Sequence, residues 1–236
     1  MIFAITVLAI SWLIVYLSEK KNLLTIWFTP LSQRTKEFVS GFLILAIFST
    51  VTQLLFGYLS GVSWQINANI TGELVFNSAL YDLRSVLFEE LTFRGIILYL
   101  LLRYTGKRQI SLLLTAASFG VYHWFTFGVM GNIIAMVLVF VITGYMGYVF
   151  AVSYEKTKSI VLPIALHLGW NLINNTVFSN GPLGIQVFAA IPGPAPLEPG
   201  AISGLISLGW YLLIPSVVLF ILHKFYTPQT KDFKLL

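Results

Sequence analysis

Residues 75–102, VFNSALYDLRSVLFEELTFRGIILYLLL, decide the fold class. A helix crosses a bilayer with ~20 mostly apolar residues, and this run is long enough, yet it holds Asp82, Arg84, Glu89, Glu90 and Arg94. Insertion scales charge ~3 kcal/mol or more for each ionised side chain at mid-membrane. Such groups are sustainable only where they meet one another or line a water-filled cavity, so the run implies a bundle of helices around it.

The rest of the chain agrees. Apolar residues make up 57% of the sequence and charged residues 10%, with mean hydropathy +0.85, which excludes an ordinary solvated domain. Seven segments read as spans, at roughly 1–17, 38–59, 75–102, 110–128, 132–154, 159–178 and 203–223. The expected fold is all-α, a polytopic transmembrane helix bundle forming a single membrane domain over residues 1–236. The first segment has no basic leader and no small-residue cleavage pattern after it, so it reads as a retained helix rather than a signal peptide.

The net charge of +5 reflects topology. Lys20, Lys21, Arg34 and Lys36 fall in the first loop, Arg103, Lys107 and Arg108 in the third, Lys156 and Lys158 in the fifth, and Lys224, Lys231 and Lys234 in the tail. The alternate loops, near 60–74, 129–131 and 179–202, contain no Lys or Arg. By the positive-inside rule the N-terminus lies outside and the C-terminus in the cytoplasm. The partner of the basic residues is therefore the lipid bilayer and not nucleic acid. The compact chain with simple loops reads as a multi-pass protein of a bacterial plasma membrane. Cysteine is absent, which excludes disulfides, thiolate metal sites, a cysteine nucleophile and a cysteine-linked lipid anchor.

Two outer stretches interrupt the helical pattern, Gly61 to Gly72 and Asn180 to Gly200. The run IPGPAP at 191–196 cannot continue a helix, because proline lacks the amide donor, and it reads as an ordered loop or a flap. No repeat or low-complexity tract divides the chain.

Helical spacing sorts the buried charges. Positions four apart share a face, while positions five apart diverge. Arg94 can thus neutralise Glu90 but not Glu89, and one carboxylate remains for general acid–base work. An interhelical lock that also takes in Asp82 and Arg84 is the structural alternative. His123 lies four residues after Phe119, and His167 four before Asn171, so His167 and Asn171 face one point. Asn174 and Asn175 continue that face and are read as bonds to neighbouring helices. Trp124 and Trp170 read as packing residues, and Gly144 and Gly147 form no small-residue dimer motif.

A carboxylate and a histidine can hold and deprotonate a water, while a second histidine and a carboxamide donate to a tetrahedral oxyanion. Two histidines and a glutamate are also a catalytic zinc set. No H-E-x-x-H occurs, and the donors come from three separate helices, so the favoured reading has no cofactor and zinc is the lesser alternative.

EELTFRG at 89–95, SFGVYH at 118–123 and LPIALHLGWN at 162–171 resemble, in order, the three motifs of the CAAX protease and bacteriocin-processing family (CPBP, or Abi), E-E-x-x-x-R, F-x-x-x-H and H-x-x-x-N. The resemblance covers about residues 82–178 and implies an intramembrane glutamic endopeptidase. Glu89 and His123 would activate the water, His167 and Asn171 would stabilise the oxyanion, and Glu90 and Arg94 would support them. The substrate would be a membrane-associated peptide or protein. Two other classes stand beside this one: a non-catalytic immunity or regulatory binding protein on the same scaffold, and a transporter, against which the chain shows no paired inverted halves.

Overall fold

The computed structural model describes residues 2–20, 22–193 and 201–226. Lys21, Lys231 and Lys234 of the basic loops, and residues 194–200 of the expected flap, lie outside the described residues. Helices follow the apolar segments: α1 (Ile2–Glu19), α2 (Leu23–Phe28), α3 (Leu31–Leu59), α4 (Gly72–Glu90), α5 (Tyr99–Thr105), α6 (Arg108–Thr126), α7 (Ile133–Thr157), α8 (Val161–Asn171) and α9 (Ala201–Phe225). Leu91–Leu98 joins α4 to α5 as π-helix, and Leu172–Val177 prolongs α8 in the same form. Local chemistry sets the starts: Thr71 accepts from the Leu74 amide at 3.1 Å and Asn132 from the Ala135 amide at 3.1 Å. The α5 helix stops at Gly106, whose φ of +61° suits a residue without Cβ.

The all-α expectation holds for the bundle, with one addition. The two irregular stretches pair as an antiparallel ribbon, β1 (Val62–Ile66) with β2 (Phe188–Pro192), placing Val62 opposite Pro192 and Ile66 opposite Phe188. The expected loop at 191–196 is therefore strand at its start, and just past Pro192 the Gly193 amide still donates to the Gly61 carbonyl at 2.7 Å. Trp64 meets Phe178 edge-on at 4.8 Å, and the Val187 amide donates to the Thr176 carbonyl at 3.3 Å, so the ribbon is fixed to the end of the α8 extension.

Small residues bring the helices together. A Cβ on Gly169 would lie 2.3 Å from the Phe42 carbonyl oxygen, and one on Gly41 2.7 Å from the Leu162 side chain, so α3 and α8 touch backbone to backbone at the first and backbone to side chain at the second. A Cβ on Gly147 would lie 2.9 Å from Phe119, which gives that glycine a packing role between α6 and α7 rather than one in dimerisation.

Among the described residues three helices are long and apolar enough to cross a membrane: Leu31–Leu59, Ile133–Thr157 and Gly204–Phe225. Their outward surfaces carry exposed Ile47, Leu54, Ile134, Val137, Leu205 and Phe220, a belt suited to lipid and not to water. Of the other expected spans, α4 carries the buried charges and α8 is only 11 residues before its extension, so length and apolarity alone do not mark them.

The helix ends bearing the basic residues meet. Arg34, expected in a loop, is buried in the first turn of α3, where it pairs with Glu37 at 2.7 Å and donates to the Thr157 carbonyl at the end of α7 at 3.2 Å. Arg108 reaches Glu155 at 2.9 Å.

Candidate active site

Three helices bring ionisable groups to one place. Glu89 and Glu90 close α4, His123 lies in the last turns of α6, and His167 lies within α8. Each of Glu89, Glu90, His123 and His167 is buried. Glu89 Oε2 stands 4.0 Å from His123 Nε2 and 3.9 Å from His167 Nε2. These separations exceed a direct hydrogen bond, and Glu89 Oε2 has no hydrogen-bond partner among the described residues. The other oxygen of Glu89 accepts from the Ser85 hydroxyl at 3.2 Å.

Glu90 does different work. Its Oε1 takes Arg94 Nη1 at 3.0 Å, the i,i+4 pair expected from spacing, and also meets His167 Nδ1 at 2.8 Å. Arg94 is wholly buried; it donates onward to the Gly147 carbonyl at 3.0 Å and lies over the rings of Phe119 and Phe150 at 4.4 and 5.1 Å. Phe150 stacks in turn on His167, centroids 4.9 Å apart. The imidazole is thus gripped on its edge and on its face.

Ring protonation follows from the partners. His123 Nδ1 lies 2.8 Å from the Phe119 carbonyl, which can only accept, so Nδ1 carries the proton and a neutral ring offers the Nε2 lone pair toward Glu89. His167 Nδ1 faces a carboxylate already bound to a guanidinium and donates to it by the same reasoning.

His123, His167, Asn171 and Asn174 line one cavity of about 330 Å³ whose other walls, Thr143 apart, are apolar or aromatic, among them Phe127, Ile142, Met146, Trp170, Tyr211 and Ile214. Asn171 is the last residue of α8, at the point where the helix widens to π form. Glu90 holds the same position at the end of α4. Such widened turns recur at functional sites, because the extra residue redirects the side chains around it.

The lock of Asp82 with Arg84 does not form. Arg84 is exposed, while Asp82 is buried and accepts from Asn175 Nδ2 at 2.7 Å and Thr176 Oγ1 at 2.8 Å. Asn174 accepts from Gln53 at 2.6 Å and donates to Asn175 at 2.9 Å, so both asparagines bond neighbouring helices as expected, and Asn174 also reaches the cavity. Trp124 packs, donating to the Met136 carbonyl at 2.8 Å, whereas Trp170 lines the cavity. Sequence reasoning missed Ser85, although its spacing of four from Glu89 was readable, and it missed Phe150 and the Gly147 carbonyl, which carried no local signal.

The donor set can be tested against a metal. Ligand atoms around a tetrahedral zinc with bonds of ~2.0–2.1 Å stand about 3.3 Å apart, whereas the Glu89 carboxylate is 3.9 and 4.0 Å from the imidazoles. Among the described residues no group of three or more His, Cys, Asp or Glu side chains is arranged to hold a metal ion.

No curated protein and no solved structure matches the chain. The family model described as type II CAAX prenyl endopeptidase, Rce1-like, matches residues 71–173, which contain all three motifs and the whole Glu89, Glu90, Arg94, His123, His167 and Asn171 constellation. Residues 71–173 are thus similar to an Rce1-like CAAX endopeptidase domain, the family whose motifs the sequence resembles.

Proposed function

We propose that the chain is an intramembrane endopeptidase that hydrolyses a peptide bond of a membrane-associated protein or peptide with a water activated by Glu89 and His123. The observation that carries this reading is the position of Glu89 Oε2, 4.0 and 3.9 Å from the Nε2 atoms of His123 and His167. Two groups that each bond one water at ~2.8 Å stand about 4 Å apart when they meet it near a right angle. One water therefore fits between Glu89 and His123, and removal of its proton leaves hydroxide to attack the substrate carbonyl carbon.

The tetrahedral oxyanion needs donors on the other side. Asn171 Nδ2 supplies one, and His167 Nε2 the other. With Nδ1–H already given to Glu90, whose charge Arg94 neutralises, a proton on Nε2 makes this ring an imidazolium whose counter-charge is Glu89 at 3.9 Å. The proton taken from water then passes to the leaving amine as the carbon–nitrogen bond breaks. Glu90 and Arg94 support the ring without touching the reacting atoms, and the apolar cavity walls suit a substrate segment delivered from lipid.

The rest of the chain completes one membrane domain around the family core, with seven spans, the N-terminus outside and the basic helix ends in the cytoplasm of a bacterial cell. Glu89→Ala and His123→Ala are each expected to abolish cleavage, by at least ~100-fold, in proteoliposomes whose protein remains inserted and monodisperse. Comparing membrane peptides from cells carrying wild-type or Glu89→Ala protein identifies the substrate. Normal cleavage by either variant refutes the reading, and a phenotype retained by Glu89→Ala assigns the scaffold to binding.

A further inference from the structure

The cations at the basic end of the bundle are not all alike. Arg34 has Glu37, and both Arg108 and Lys158 have Glu155, as carboxylate partners. Lys156 differs. It is 4% exposed, and its ammonium donates to a neutral acceptor, the Tyr226 carbonyl at 2.9 Å, with no carboxylate in ion-pair reach among the described residues. An ammonium has three donors, and a buried one without a counter-charge is costly, so a compensating anion is expected beside it.

Lys156 lines a pocket of about 340 Å³ between the first turns of α3 and the last turns of α7 and α9. Lys36 contributes a second cation to its wall. The one carboxylate there, Glu37, is already taken by Arg34 and by Gln33 at 2.9 Å. The hydroxyls of Ser40 and Tyr226, 2.6 Å apart, line it too, but Ser40 gives its proton to the Lys36 carbonyl at 2.6 Å and so accepts from Tyr226, which leaves the cations as the free donors. Two cations facing one space whose carboxylate is already paired are the recognition chemistry of a phosphate. Exposed Phe225 on the rim places that space at the edge of the apolar belt, where headgroups lie.

We propose that this pocket binds the phosphate of an anionic phospholipid headgroup, held by Lys156 and Lys36. Basic pockets between helices at a membrane surface take such headgroups, and the attraction is lost without the cations. The site is separate from the peptidase centre, and the proposal stands whether or not Glu89 is catalytic.

The test uses the full chain, delipidated in dodecyl maltoside and titrated with short-chain phosphatidylglycerol, short-chain phosphatidylcholine or inorganic phosphate while the unfolding temperature is followed. Phosphatidylglycerol is expected to raise that temperature saturably, and phosphatidylcholine is not. Lys156→Met should weaken the apparent affinity at least ~10-fold, Lys156→Arg should retain most of it, and Lys36→Gln, at an exposed position, should weaken it about fivefold. The Lys36→Gln and Lys156→Arg proteins keep the comparison available if Lys156→Met does not fold. Equal responses of wild type and Lys36→Gln to phosphatidylglycerol would overturn the proposal. A response to inorganic phosphate as large as that to phosphatidylglycerol would overturn the lipid assignment in favour of free phosphate.

Discussion

Glu90 and His167 meet across α4 and α8, Oε1 to Nδ1, at 2.8 Å, and the same oxygen holds Arg94 at 3.0 Å. The two adjacent glutamates of one motif therefore have separate tasks: Glu90 is bound into the frame, and Glu89 faces the imidazoles with one oxygen unclaimed.

That division separates stability from activity. Glu90→Ala strands a wholly buried guanidinium and should lower unfolding stability by about 3–5 kcal/mol. Glu89→Ala removes no ion pair made at hydrogen-bond distance and should change stability by less than about 1 kcal/mol while losing cleavage. Chemical unfolding of both proteins in the same detergent, beside a cleavage assay, checks the contrast; similar unfolding midpoints would contradict it.

Metal dependence is the second discriminator. The spacing of Glu89 from the imidazoles suits a bridging water better than shared ligation of zinc, so dialysis against 1,10-phenanthroline should leave at least about 80% of the cleavage rate, within the scatter expected where no ligand is lost. Loss of activity that returns with added zinc would reassign the chemistry.

Much of this centre was legible in the sequence. Charge inside an apolar run forced a bundle, and spacing of four paired Glu90 with Arg94 and aligned His167 with Asn171, because helical periodicity is local. What crosses between helices was not legible. Nothing near Glu90 in sequence names His167 as its partner, and nothing near Arg94 names the Gly147 carbonyl. The ribbon was missed for the same reason, since Val62 and Pro192 are far apart in the chain and each strand is only five residues long. The π-helical turns after Glu90 and Asn171 arise from packing that no periodicity records.

Asp82 should matter without touching substrate. It accepts from Asn175 and Thr176 and so holds the widened turn that follows Asn171. Asp82→Ala leaves two donors unmet and should cost about 2–4 kcal/mol of stability, with kcat reduced about tenfold or more by misplacement of the carboxamide. Steady-state kinetics at a temperature where the variant is fully folded gives the answer; an unchanged kcat would rule out this positioning role.

Glycines at two places should respond in opposite ways. Gly169→Ala sets a methyl group against the Phe42 carbonyl, where backbone has to move, and should destabilise by about 1–3 kcal/mol. Gly209 in α9 has nothing within 4 Å of the position a methyl group would take, so Gly209→Ala should be neutral or stabilise by about 0.5–1 kcal/mol through helix propensity. Unfolding midpoints of the two variants measure the difference directly.

The contact at Gly169 also bears on where the proposed substrate would come in. With no room for a methyl group between them, α3 and α8 act as a single post, so in the proposed peptidase entry to His167 is expected at the opposite seam, where α7 and α9 form walls of the cavity and Tyr145 and Ser216 share an exposed hydrogen bond at 2.9 Å. Because the chain lacks cysteine, a Tyr145→Cys, Ser216→Cys pair would make a latch that a bifunctional methanethiosulfonate closes and a reductant opens, a tyrosine's length holding the two Cβ atoms beyond direct disulfide range. Cleavage should stop and restart with it, and turnover through a closed latch would place the doorway elsewhere.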